Sequence, residues 1–189
     1  MGTVCTSIND KKYSKLKKKE TENMCSEIDG GKDHSTNMKI SKDFQVYQFI
    51  KKENKNDLIQ FLTNNEIDIN DYIFNNEMTI LHRAIKLESS ANYVEFLILK
   101  GSKIENVEID TMDTPLYVAV NQLSVDIVFV ILKYSPNIFH KNNENKELKD
   151  ILEEISKSKL SKEQSIKFEK IVRMINDFKI KLEKTEKLD

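Results

Sequence analysis

TILHRAI at residues 79–85 and TPLYVAV at residues 114–120 are two versions of one phrase. Each opens on Thr, has Leu at its third position and Ala at its sixth. Each is followed by an apolar stretch at helical spacing, YVEFLILKGSKIEN at 93–106 and VDIVFVILKYSPNIF at 125–139. Thr79 and Thr114 are 35 residues apart, and Leu97 and Ile131 are 34 apart. A pattern returning about every 33 residues marks an array of stacked repeats. Upstream, Phe44, Tyr47, Phe49 and Ile50 recur at helical spacing, and Leu58, Ile59, Phe61 and Leu62 do so again after ENKN at 53–56. That first unit is degenerate. It is accepted because one repeat cannot bury its apolar face alone, and about three are needed for a stable array.

These residues resemble the ankyrin repeat, whose inner helix opens with T-P-L-H-x-A. Thr79, Leu81, His82 and Ala84 match, with Ile80 in the Pro place. Thr114, Pro115, Leu116 and Ala119 match, with Tyr117 in the His place. Val94, Leu97, Ile98 and Gly101 match the outer helix and its terminating glycine. Val128, Ile131 and Leu132 match again, with Ser135 where Gly is usual. IDIN at 67–70 resembles the stretch after an outer helix. The resemblance covers roughly residues 42–145 and implies an all-α solenoid of stacked helix-turn-helix units. Pro suits the first helical turn because its missing N–H is unneeded there, and Gly101 suits a left-handed helix end.

The resemblance also implies where a protein partner lies: against the hairpin tips and the inner-helix face. The tips map near 72–78 and 107–113, where Tyr72, Ile73, Phe74, Ile109 and Met112 are unusually apolar. Either they meet a partner or they pack onto neighbouring repeats. Arg83, Lys86, Asn121 and Gln122 are the candidate inner-face contacts. His82 belongs to the repeat turn and has a structural role.

A covering element should close the array. LKDILEEI, residues 148–155, reads as the inner helix of a divergent last repeat. Ser161 and Gln164 form a capping-box signature. Phe168, Ile171, Val172, Ile175, Phe178 and Leu182 then make one apolar stripe on a helix over about 162–184. The stripe is read as packing on the array, with a dimer seam as the alternative. The chain thus divides into a polar tail at 1–40, the repeat array at 41–145, and a divergent last repeat with a long capping helix at 146–189.

The tail lacks apolar periodicity and is expected to be disordered. It begins MGTVCT, which fits the N-myristoylation pattern M-G-x-x-x-[ST] through Gly2 and Thr6. One myristoyl chain binds membranes only marginally, so a second signal is needed. Two are at hand: Cys5 for palmitoylation, and a basic block of Lys11, Lys12, Lys15, Lys17, Lys18 and Lys19. Each such cation contributes about 1 kcal/mol at an anionic leaflet. Ser14 lies inside the block, and a phosphate there would add about −2 charge and weaken the attraction.

Composition excludes several classes. The 189 residues carry a formal net charge of −1, against a dedicated nucleic-acid binder, and Lys and Asn are used heavily, as in an AT-rich genome. No apolar run reaches the ~18 residues of a membrane span, and no secretory h-region is present. Cys5 and Cys25 sit in the polar tail and suggest a reducing compartment. His34, His82 and His140 share no metal-ligand spacing, and GGKD at 30–33 lacks the rest of a phosphate loop. No cofactor, metal, small-molecule substrate or catalytic group is expected. The function expected is a non-enzymatic adaptor that binds a protein partner at the cytosolic face of a membrane. That membrane would be the plasma membrane or, in a protist with a layered pellicle, the inner pellicular membrane. The alternative is a soluble assembly factor or inhibitor that uses the same array without lipid.

Overall fold

The computed structural model describes residues 42–71, 73–74 and 78–185. A division of the chain falls after Phe44, and the architecture below concerns the body that follows it. The lipidation and basic-block residues, Gly2, Cys5, Ser14 and Lys11 to Lys19, lie outside the described residues, as does Tyr72.

Eight helices are described: α1 Lys42–Lys51, α2 Lys55–Asn64, α3 Ile80–Lys86, α4 Ala91–Leu99, α5 Pro115–Asn121, α6 Val125–Leu132, α7 Leu148–Lys157 and α8 Lys162–Thr185. A two-residue antiparallel pairing joins β1 Ile73–Phe74 to β2 Met78–Thr79, with Ile73 opposite Thr79 and Phe74 opposite Met78. The inner helix α3 packs on α5, and the outer helix α4 packs on α6. α7 continues the inner row against α5, and α8 continues the outer row against α6. The result is an ankyrin-type solenoid, all-α as the sequence implies.

The caps explain where each helix starts. Thr79 accepts from His82 N at 3.5 Å, and Thr114 accepts from Tyr117 N at 3.4 Å. Pro115 takes the first turn of α5. Asn54 opens α2 by accepting from Asp57 N at 3.2 Å. Ser161 and Gln164 form a reciprocal box at α8: Ser161 N donates to Gln164 Oε1 at 2.9 Å, and Gln164 N donates to Ser161 Oγ at 3.2 Å. Each device satisfies N–H groups that a helix start leaves without intrahelical partners.

The stops repeat as faithfully as the starts. Glu53, Glu88 and Leu123 follow the inner helices with φ of 51°, 57° and 54°. Glu66, Gly101 and Ser135 follow the outer helices with φ of 54°, 99° and 54°. Left-handed backbone returns the next N–H to the last turn: Ser89 N donates to Ala84 O at 3.1 Å, and Ser102 N donates to Leu97 O at 3.0 Å. After Ser135 the next residue is Pro136, which has no N–H to return. One position therefore recurs in three chemistries, and only Gly101 announces itself in the sequence.

The core is continuous along the stack. Ile50, Leu58, Leu81, Leu97, Leu116, Ile131 and Leu148 are fully buried or nearly so, each such side chain contributing roughly 1.5–3 kcal/mol over exposure. Ile171 and Ile175 of α8 are buried against this core, with Phe168, Met174, Phe178 and Leu182 partly buried beside them. The stripe read from the sequence therefore covers the end of the outer row.

Candidate partner-binding site

The turn between α4 and α5 projects from the stack as a tip at residues 107–113. Its backbone closes on itself: Glu108 N donates to Asp113 O at 3.1 Å, and Met112 N donates to Glu108 O at 2.9 Å. Two histidines pin it from either side. His82 Nε2, from the repeat before, meets Asp113 O at 3.2 Å, and His140 Nε2, from the loop after, meets Met112 O at 2.8 Å. Both carbonyls are acceptors, so each ring presents N–H there. Asn143 N donates to Thr111 O at 3.0 Å, and Asn142 Nδ2 donates to Asp113 Oδ1 at 3.0 Å. The tip is thus held by the units on both sides.

Side-chain chemistry reinforces the hold. Glu108 is buried, yet Lys86 Nζ lies 2.8 Å from its Oε1 and Thr111 Oγ1 donates to its Oε2 at 3.1 Å. Burial nevertheless pushes the Glu108 carboxyl above the usual range, because desolvation outweighs the Lys86 charge. Asp113 is raised for the same first reason, against its bond from Asn142. The buried ring of His82 has both nitrogens engaged, Nδ1 with Thr79 Oγ1 at 2.8 Å, and desolvation lowers it to about 4. His82 is a structural residue of the turn.

The site residues read from the sequence divide into groups. Ile109 and Met112 stand exposed at the tip, 54% and 40%. Ile73 and Phe74 form the strand β1 at the preceding tip. Lys86 is half-buried in its ion pair with Glu108, and Gln122 Nε2 donates to the Lys86 carbonyl at 3.4 Å. Asn121 is half-buried. Arg83 differs: it is only 5% exposed, with its guanidinium carbon 5.2 Å from the centre of the Tyr47 ring. Its side chain lies inside the stack and is not presented on the inner face, because Tyr47 of α1 covers it. Among the described residues, no three His, Cys, Asp or Glu side chains group to hold a metal ion, and no helix is long and apolar enough to cross a membrane.

Sequence reasoning passed over Phe139, which is 56% exposed, and the carboxylates Glu105, Asp110 and Asp113. Asn70 holds the next repeat by accepting from Lys103 N at 2.8 Å, and Glu105 does so one unit later by accepting from Asn137 N at 2.9 Å. Phe139 occupies the next place in this ladder and has no oxygen to continue it, so it stands out from the surface. An apolar residue at that register was the available signal.

A family model described as Ankyrin repeats (3 copies) matches residues 46–145. Among solved structures, the chain resembles the crystal structure of the ankyrin repeat domain of Bcl-3, described as a unique member of the IkappaB protein family, with a TM-score of 0.55 and 18% identity. The likeness covers 77% of this chain and 60% of that one, so the chain spans less than two thirds of that structure. No curated protein sequence matches.

Proposed function

The chain belongs to the ankyrin-repeat family, a fold built for protein interaction, and we propose that it is a non-enzymatic adaptor whose tips hold a protein partner beside a membrane. One observation carries the partner half of this reading. Ile109 and Met112 are exposed on a tip whose backbone is tied down from both neighbouring units. Apolar side chains on a pre-ordered surface lose little entropy on binding, which is what a recognition surface needs. Lys86, Asn121 and Gln122 extend that surface toward the inner face. Ile73 and Phe74, with Tyr72 before them, would serve the preceding tip.

The membrane half rests on the sequence. Gly2 and Thr6 fit the myristoylation pattern, Cys5 offers a second acyl site, and the lysines from Lys11 to Lys19 supply attraction to anionic lipid. A phosphate on Ser14 would weaken that attraction. The place of action would be the cytosolic face of the plasma membrane or of an inner pellicular membrane.

Both halves are tested together in the native cell. Gly2→Ala and Cys5→Ala variants are fractionated beside the wild type, each carrying a photo-crosslinker at position 109. Release of Gly2→Ala into the soluble fraction supports the anchor, and a crosslinked partner lost on Met112→Asp supports the tip. If Gly2→Ala stays where the wild type is while the crosslink persists, the soluble assembly-factor reading replaces the anchored one.

A further inference from the structure

Three apolar side chains stand out on adjoining loops. Ile109 and Met112 belong to the tip, and Phe139 belongs to the turn that follows α6. These loops are stitched together: His140 Nε2 meets Met112 O at 2.8 Å, and Glu105 Oε1 accepts from Asn137 N at 2.9 Å. Asn137 Oδ1 in turn accepts from Phe139 N at 2.9 Å. The loops that carry the three exposed side chains are therefore tied to one another.

The tip side of that surface is acidic, while the Phe139 loop carries Lys141, which lies 3.9 Å from Glu147 Oε1. Residues 105–113 read ENVEIDTMD, four carboxylates with no lysine or arginine among them. Glu108 is taken by Lys86. Glu105, Asp110 and Asp113 form no ion pair among the described residues. A partner that covered the apolar side chains would bring its own flanking groups against these carboxylates. A basic flank would be attracted and an acidic one repelled, since complementary charge sets the choice of partner.

We infer that the patch formed by Ile109, Met112 and Phe139 receives a basic segment of a partner protein, one apolar anchor flanked by Lys or Arg. The inference rests on the reading of the array as a partner-binding surface and names the chemistry of that partner. Exposed carboxylates support it: Glu105 and Asp110 stand at the surface beside the patch, whereas the buried Glu108 is offset by Lys86. The anchor gains by burial against Ile109 and Met112, while the flanking cations gain by proximity to Glu105, Asp110 and Asp113.

The test uses the full-length protein and a labelled nonapeptide, Lys-Lys-Lys-Lys-Phe-Lys-Lys-Lys-Lys, followed by fluorescence anisotropy. Two control peptides carry Ser at the Phe place or Glu at the Lys places. The basic apolar peptide should bind at least tenfold tighter than either control. Glu105→Gln with Asp110→Asn, which keeps shape and removes charge, should weaken it at least tenfold, as should a rise from 50 to 300 mM salt. Ile109→Ser with Met112→Ser should bring its affinity down to that of the Ser control. The melting temperature of each variant checks that the fold is intact. Equal binding of the Glu peptide, or indifference to the charge-removing pair, overturns the inference. If the peptide fails while the crosslink at position 109 persists in the cell, the basic-anchor chemistry falls and the adaptor reading stands. If the crosslink is absent as well, both fall.

Discussion

His82 reaches across one repeat to the carbonyl of Asp113, 3.2 Å from its Nε2, while its Nδ1 faces the Thr79 hydroxyl at 2.8 Å. The ring is buried, and desolvation lowers it from 6.5 to about 4. A depressed histidine stays neutral in the fold at a pH where the unfolded chain binds a proton. Its contribution is therefore whole above about 6.5 and is lost as pH falls toward 4, amounting to about 3 kcal/mol across that window. Glu108 and Asp113 act the other way. Their raised carboxyls take up protons in the fold before they do so in the unfolded chain, which returns part of the loss at the acid end. Urea midpoints measured from pH 7 to pH 4.5 should fall for the wild type, and His82→Gln should flatten that slope. An equal slope in both proteins would remove His82 as its source.

The repeated left-handed stops predict a gain from one substitution and a loss from another. Ser135 holds φ at 54° where a repeat of this kind has Gly. Ser135→Gly relieves a strained side chain and should stabilise by roughly 0.5–1 kcal/mol after the added freedom of the unfolded chain is counted. Gly101→Ala should cost roughly 1–2 kcal/mol. The added Cβ meets nothing within 4 Å, so the loss comes from φ of 99° and not from a clash. Denaturant melts of the two variants read both signs directly.

Two serines that look alike in the sequence should behave differently. Ser90 accepts from Tyr93 N at 3.2 Å and donates through Oγ to Glu53 Oε2 at 2.6 Å, tying the first unit to the second. Ser124, at the same place one repeat later, makes no such cap bond. Ser90→Ala should cost about 1–2 kcal/mol and Ser124→Ala less than about 0.5 kcal/mol. A Ser90→Ala, Glu53→Ala double-mutant cycle should show coupling between the pair. Independent effects would mean that the short contacts at Ser90 carry no energy.

The starts of the inner helices were legible because Thr79 and Thr114 use the same cap chemistry, and Pro115 marks its own position. The stops at Glu53, Glu66 and Glu88 were not, since glutamate carries no signal for a left-handed backbone and is tolerated there only because the stack fixes it. The stripe on α8 was legible from its period alone. The surroundings of the tip were hidden for another reason. Lys86 meets Glu108 across 22 residues, and His140 meets Met112 across 28, and neither contact has a local pattern. Arg83 shows the same limit in reverse. A charged residue at an inner-face register reads as exposed, yet Arg83 is buried, with the Tyr47 ring of another helix 5.2 Å from its guanidinium carbon.

The last helix separates a covering role from a dimer seam. Ile171 is fully buried against the array, whereas Ile166 and Ile180 on the same helix are each 49% exposed. α8 packs on α6, so Ile171 fills space that no following repeat occupies. Ile171→Ala should cost about 2–4 kcal/mol through lost burial and the cavity left behind. Ile180→Lys should change stability by less than about 0.5 kcal/mol, as exposed substitutions do. Both effects should be independent of protein concentration, because the contacts lie within one chain. A melting temperature that rises with concentration in the wild type, and ceases to rise in Ile180→Lys, would instead make the outer face of α8 a seam between two copies. Light scattering across the same concentration range gives the mass that decides it.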